Sequence, residues 1–228
     1  MRPIVIASNM YNERHQLEGW FDCFEKIADG GILIVDGGST DGTAEYCLER
    51  GAQVVITDII QTEGYGPARN HLREMSRKFF PKAHWMAYFD ADERIDPAEF
   101  HQFRYIKDYL IGTFDVVAFP RLDLHPDGHS ENDYLVAPDW QARMTRLDSM
   151  LMYYRRLHEQ LKSHKAIYTD LNAPKIHHHH RGAPQWKRDH VGKVCAFLHG
   201  KDEFGHTYPE HHKEAHYRKL IEEEGLNG

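Results

Sequence analysis

Five short apolar runs alternate with helix-period segments along the first half of this chain. They are Ile4 to Ala7, Gly31 to Val35, Gln53 to Thr57, Trp85 to Phe89 and Val116 to Pro120. Asn12 offers an N-cap for a helix reaching about Ala28, with Leu17, Trp20, Phe21, Phe24 and Ile27 at helical spacing. Thr43 to Arg50 reads as a second helix. Pro67 suits the first turn of a third, where its missing N–H is not needed, and Ala68 to Phe80 continues it. Asp96-Pro97 supplies a cap and a first-turn proline for a fourth, ending near Tyr109. Parallel strands need crossovers of this length, so a β-α-β-α order predicts an α/β fold with a mostly parallel central sheet flanked by helices.

The pattern changes after Arg121. Leu122 to Pro138 contains Pro126, Gly128 and Pro138 and reads as a long loop. Trp140 to Leu147 reads as a strand or hairpin. From Trp186 onward the chain reads as helical, ending with Lys213 to Glu224.

In an open α/β sheet, ligands bind beyond the carboxyl ends of the strands. The polar clusters fall there. The first strand runs into Asn9, Asn12 and Glu13, the second into Asp36-Gly37-Gly38-Ser39-Thr40-Asp41-Gly42-Thr43, and the fourth into Asp90-Ala91-Asp92-Glu93. On extended backbone, Asp90 and Asp92 point to one side about 6.6 Å apart by strand rise. Carboxylates that close repel unless a cation lies between them. Oxygen ligands favour Mg²⁺ or Mn²⁺, which also bind diphosphate oxygens. A solvated Asp-rich turn is the plainer reading of the same residues. In the second cluster, Asp36 has the chemistry to accept from a base or ribose and Ser39 to donate, while Asp41 and Thr43 cap the following helix.

These motifs occur in order, joined by Gly66-Pro67-Ala68-Arg69-Asn70. Together they closely resemble the family 2 glycosyltransferases of GT-A, Rossmann-like fold, strongly over about residues 3–125. The resemblance continues weakly through Pro138 to Met144 and Leu157-His158-Glu159. It implies a nucleotide-sugar donor, a divalent metal and inversion at the anomeric carbon. It places Asp36 near the base and ribose, Arg69 near the donor, and Asp90, Ala91 and Asp92 at the diphosphate, with Asp90 and Asp92 on the metal. Asn12, Glu13 and Ser39 join the donor site. Glu159 is the expected catalytic base, with Asp139 as runner-up. A third metal ligand is expected from His177 to His180, with His179 chosen. Many members carry a second aspartate where Gly37 stands, so the resemblance leaves the nucleotide open. The chain then reads as one domain over residues 1–228: a nucleotide-sugar half (1–121), an acceptor half (122–185) and a C-terminal helical extension (186–228).

Other residues read more plainly. The internal histidine run is taken as native rather than a purification tag. His212 and His216 share a helix face but lack a nearby glutamate in the metalloprotease pattern. Trp186, Lys187 and Arg188 read as a loop over the diphosphate or as a basic surface cluster. Cys23 and Cys47 read as buried packing residues, and three cysteines at wide spacing argue against a disulfide framework.

The chain has 228 residues, with 41% hydrophobic and 28% charged, which suits an ordinary globular domain. Its net charge of −7 argues against nucleic acid as a partner. No apolar run approaches the ~20 residues that span a bilayer. The expectation is a cytoplasmic protein, with peripheral membrane contact left open and a glycan or other hydroxyl compound as acceptor. Two alternatives stand beside the transferase. One is a nucleotidyltransferase, although the loop after the first strand lacks that class's glycines. The other is a non-catalytic nucleotide-sugar or metal-binding module.

Overall fold

A computed structural model describes residues 2–109, 114–124, 139–157 and 159–179. The first part alternates as expected: β1 (Ile4–Met10), α1 (Leu17–Phe24), β2 (Gly31–Asp36), α2 (Thr43–Glu49), β3 (Gln53–Ile56), α3 (Ile59–Glu63), α4 (Tyr65–Phe79) and β4 (Trp85–Tyr88). Then follow β5 (Glu93–Ile95), α5 (Phe100–Tyr109), β6 (Val116–Asp123), β7 (Asp139–Arg146), β8 (Met152–Tyr154), β9 (Gln160–Lys162), β10 (Ile167–Thr169) and β11 (Ile176–His178).

The main sheet has the order β3-β2-β1-β4-β7-β6-β11-β5. Its first four strands are parallel. β7 then runs antiparallel between β4 and β6. The outer edge of β6 is shared: β10 pairs with Val116 to Ala118, and β11 with Arg121 to Asp123. β8 and β9 form a separate hairpin.

Alternating side chains bury both faces of the sheet, which is why its strands read as continuous apolar runs. Ile4, Ile6, Ile32, Ile34, Trp85 and Ala87 pack with Trp20, Phe21 and Phe24 of α1. Their neighbours Val5, Ala7, Leu33, Val35, Met86 and Tyr88 pack with Leu72 and Met75 of α4. Phe24 stacks on Phe89 at 4.4 Å between centroids, fixing α1 over the end of β4. Cys23 and Cys47 are buried among these residues.

Several expectations change. Asn12 does not cap α1; it adopts a left-handed φ of 53° and bonds to the β2 loop instead. A 3-10 turn at Arg14–Gln16 precedes α1, which ends at Phe24 rather than near Ala28. Asp96 does cap, accepting from Ala98 N at 2.8 Å ahead of α5. The Trp140 to Leu147 segment is one strand of the main sheet. β5 and β8 to β11 were not anticipated, because three-residue strands carry too little periodicity and exist through their partners. β6 continues to Asp123, into the segment read as loop. Residues 125–138, the 186–228 extension, His158, His180, Cys195, Trp186 to Arg188, His212 and His216 lie outside the described residues. Among the described residues, no helix is long and apolar enough to cross a membrane.

Candidate active site

The loops after β1 and β2 are stitched together by their own polar side chains. Asp36 is fully buried; its Oδ1 accepts from the N–H groups of Gly38 and Ser39 at 2.9 and 2.8 Å, and its Oδ2 from the Ser39 hydroxyl at 2.6 Å. Ser39 Oγ accepts from Asn12 N at 2.8 Å, and Asn12 Oδ1 accepts from Thr40 N at 2.8 Å. Glu13 N donates to Thr43 Oγ1 at 2.8 Å. Asp41 accepts from the Thr43 hydroxyl and N–H at 2.6 and 3.0 Å and from Arg14 N at 3.0 Å. The carboxylates and hydroxyls here shape the rim of a cleft whose lining includes Asn9, Tyr11, Glu13, Gly37, Gln61 and Tyr65.

The N-terminus of α4 explains the Gly66 to Asn70 motif. Tyr65 N and Gly66 N donate to Arg156 O and Arg155 O at 2.8 and 3.1 Å, docking the loop between β8 and β9. A Cβ on Gly66 would lie 2.3 Å from Arg155 O, so only glycine permits this approach. One turn on, Asn70 clamps β8: its Nδ2 donates to Tyr153 O and its Oδ1 accepts from Tyr153 N, both at 2.8 Å. The docked loop carries Glu159 to Arg69.

Arg69 is 3% exposed and joins two carboxylates. Its Nη2 donates to Asp90 Oδ1 at 2.9 Å and its Nε to Glu159 Oε1 at 3.2 Å. Its guanidinium lies 3.9 Å from the centroid of the Tyr88 ring, and that of Arg143 lies 4.6 Å away. Arg143 donates to Asp90 Oδ2 at 3.1 Å and to buried Glu93. Burial acts to raise the Asp90 pKa, but Arg69 and Arg143 outweigh it and hold the carboxyl well below the usual range. Burial pushes Glu93 the other way, upward against the pull of Arg143.

The Asp90 to Asp92 stretch is a turn rather than extended strand, with Glu93 N donating to Asp90 O at 3.0 Å. The two aspartates therefore have different surroundings. Asp90 is held by two arginines; Asp92 lies beside β11. There the imidazole brought to Asp92 belongs to His178, not His179. His178 Nδ1 bonds Asp123 Oδ1 at 2.7 Å, and Nε2 stands 3.7 Å from Asp92 Oδ2, beyond hydrogen-bond length. His179 is exposed and supplies a backbone N–H to Asp92 O at 2.9 Å. Asp90, Ala91, Asp92 and His178 all line the cleft. Asp139, the runner-up base, pairs with Arg121 at 2.7 Å. Among the described residues, no group of three His, Cys, Asp or Glu side chains is arranged to hold an ion by itself.

Residues 9–161 match the model of glycosyl transferase family 2. The chain belongs to this family. No curated protein matches it in sequence. Among solved structures it is similar to TarS of S. aureus, at TM-score 0.51 and 14% identity over 97% of this chain and 42% of that one. A mycobacterial protein aligns at TM-score 0.53 and 14% identity, over 87% and 73% of the two chains. TarS 1–349 in complex with UDP aligns at TM-score 0.50 and 13% identity, over 97% and 70%. The family 2 chain thus spans less than half the length of the full TarS structure, and its fold is the GT-A arrangement of a curled, mostly parallel sheet between helices.

Within the family match lie Asn12, Glu13, Asp36, Ser39, Arg69, Asp90, Ala91, Asp92 and Glu159. The fold brings Arg69, Asp90 and Glu159 into one network. The sequence alone gave no role to Arg143, Glu93 or Asn70, although all three stand within the motifs named above. His178 lies beyond the matched segment, and only the pairing of β11 with β6 selects it from the histidine run.

Proposed function

We propose that this chain transfers a sugar from a nucleoside-diphosphate sugar to an acceptor hydroxyl, with inversion at the anomeric carbon. The observation that carries the reading is the Arg69 bridge. It brings Glu159 to the carboxylate at the end of β4, so a base adjoins the cleft residues expected at the diphosphate. Glu159 takes the acceptor proton as the new glycosidic bond forms and the bond to the diphosphate breaks, and Arg69 orients it through one oxygen. Asp36, Asn12 and Ser39 build the β2 loop beside the base and ribose, with Glu13 on the cleft wall. The complex of TarS with UDP supports a nucleoside diphosphate in this cleft.

A divalent cation fits Asp92 and His178 better than the pair Asp90 and Asp92. Asp90 spends both oxygens on arginines, whereas Asp123 holds the Nδ1 edge of His178 and turns Nε2 toward Asp92. A carboxylate oxygen beside an imidazole whose other nitrogen is anchored by a carboxylate suits Mn²⁺, which Asp92 and His178 would hold together with the donor. Such an ion supplies charge neutralisation for the leaving diphosphate.

Thermal-shift measurements across a panel of nucleotide sugars, with and without Mn²⁺, test the reading. A rise in melting temperature with at least one donor, larger with Mn²⁺, is expected. Binding of no nucleoside diphosphate under any condition rejects it.

A further inference from the structure

The cleft contains an amide whose acceptor oxygen is unused. Gln61 Nε2 donates to Gly37 O at 3.3 Å, while Oε1 is buried with no hydrogen-bond partner within the protein. A buried acceptor left without a partner is costly, so its retention calls for an explanation. Asn9 also lines the cleft with its amide atoms buried and unpartnered, but it sits on β1. Gln61 lies on α3, a five-residue helix with no buried residue, and already lines the cleft with its amide anchored on Gly37.

Gly37 and Gln61 share one space. A Cβ on Gly37 would stand 2.7 Å from Gln61 Nε2 and 3.2 Å from the Tyr11 ring. The Asp36 carboxylate beside them is spent on Gly38 and Ser39. This end of the cleft therefore offers a planar aromatic side chain and a neutral amide acceptor, which is the chemistry that receives a heterocyclic base.

Resting on the nucleotide-sugar reading above, we propose that Gln61 reads the nucleobase of the donor, with Oε1 accepting from a ring N–H while Tyr11 packs beside the base. With Nε2 tied to Gly37, Oε1 pairs with the ring N–H of uracil or guanine. In the same edge-on pose it meets the ring-nitrogen lone pair of cytosine or adenine. Gly37 is part of the device, because any side chain there displaces the amide.

Isothermal titration of UDP, GDP, CDP, ADP and pyrophosphate, each with Mn²⁺, tests this on the wild type, Gln61→Ala and Gly37→Ala, with melting curves to establish folding. The wild type should prefer UDP or GDP to CDP and ADP by about tenfold. Gln61→Ala should lose that difference while pyrophosphate binding stays unchanged. Gly37→Ala keeps the amide but pushes it aside, and should show the same loss, so either variant suffices if the other does not fold. Unchanged affinities and preference in the folded variants, or a wild type that prefers cytosine or adenine, overturn the assignment and leave the transferase reading intact. A wild type that binds none of the four nucleotides overturns both.

Discussion

Arg69 donates through Nη2 to Asp90 and through Nε to Glu159, so one buried guanidinium spans the distance between the expected leaving-group site and the expected base. A lysine ammonium lacks the planar fork that fixes these two donor directions. Arg69→Lys is expected to lower kcat by about 100-fold or more, with the fold retained. Steady-state kinetics and a melting curve check this; near-normal turnover would show that the bridge is structural.

Glu159→Gln keeps an acceptor for Arg69 but cannot take a proton. Turnover should fall by about 10²- to 10⁴-fold, while nucleoside-diphosphate binding stays unchanged by titration. Unchanged turnover would return Asp139 to consideration, through Asp139→Asn.

His178 and His179 should differ. His178→Ala is expected to weaken Mn²⁺ binding in the presence of a nucleoside diphosphate by roughly tenfold or more, and Asp123→Asn by about 10- to 100-fold. His179→Ala should bind Mn²⁺ normally, because its side chain is exposed and its contact to Asp92 is through the backbone. The reverse order would move the ligand one residue along β11.

Gly66→Ala forces a methyl group to 2.3 Å from Arg155 O, where backbone must shift. Chemical denaturation should show a loss of roughly 1–3 kcal/mol. Because the displaced loop carries Glu159, kcat should fall as well, although Gly66 touches no reacting group. A variant with normal stability and turnover would mean that the loop docks without this close contact.

Asp41 stabilises the β2 loop in a pH-dependent way. Its slight burial acts upward, but the Thr43 hydroxyl and the N–H groups of Arg14 and Thr43 outweigh it and lower its pKa. A carboxyl with a lowered folded pKa contributes stability above its unfolded value near about 3.9. That contribution is lost as pH falls through the folded value. Because Asp41 is exposed and its charge screened by solvent, Asp41→Ala should lower stability near neutral pH by well under about 1 kcal/mol, and by less still at about pH 2. A gap that stays constant between the two conditions would exclude an ionic contribution.

Most of the first-half fold was legible because its signals are local. The runs at Ile4, Gly31 and Trp85 must pair side by side to satisfy their backbones, and the helices between them leave a parallel arrangement as the solution. The ends of those strands then place Asp36 and Asp90 on one rim whatever the detailed packing. The later strands were not legible, since Ile167 to Thr169 and Ile176 to His178 are extended only because β6 offers them an edge.

By itself, the sequence determined the order of strands and helices, the polar rim and the motifs that carry the family resemblance, since each depends on neighbours in the chain. The tertiary structure decided which groups meet. It turned Asp36 into its own loop and gave Asp90 two arginines. It chose His178 over His179 for Asp92, and filled the space at Gly37 with Gln61. Those outcomes depend on contacts between residues far apart in sequence, where register and a missing Cβ set which side chain arrives.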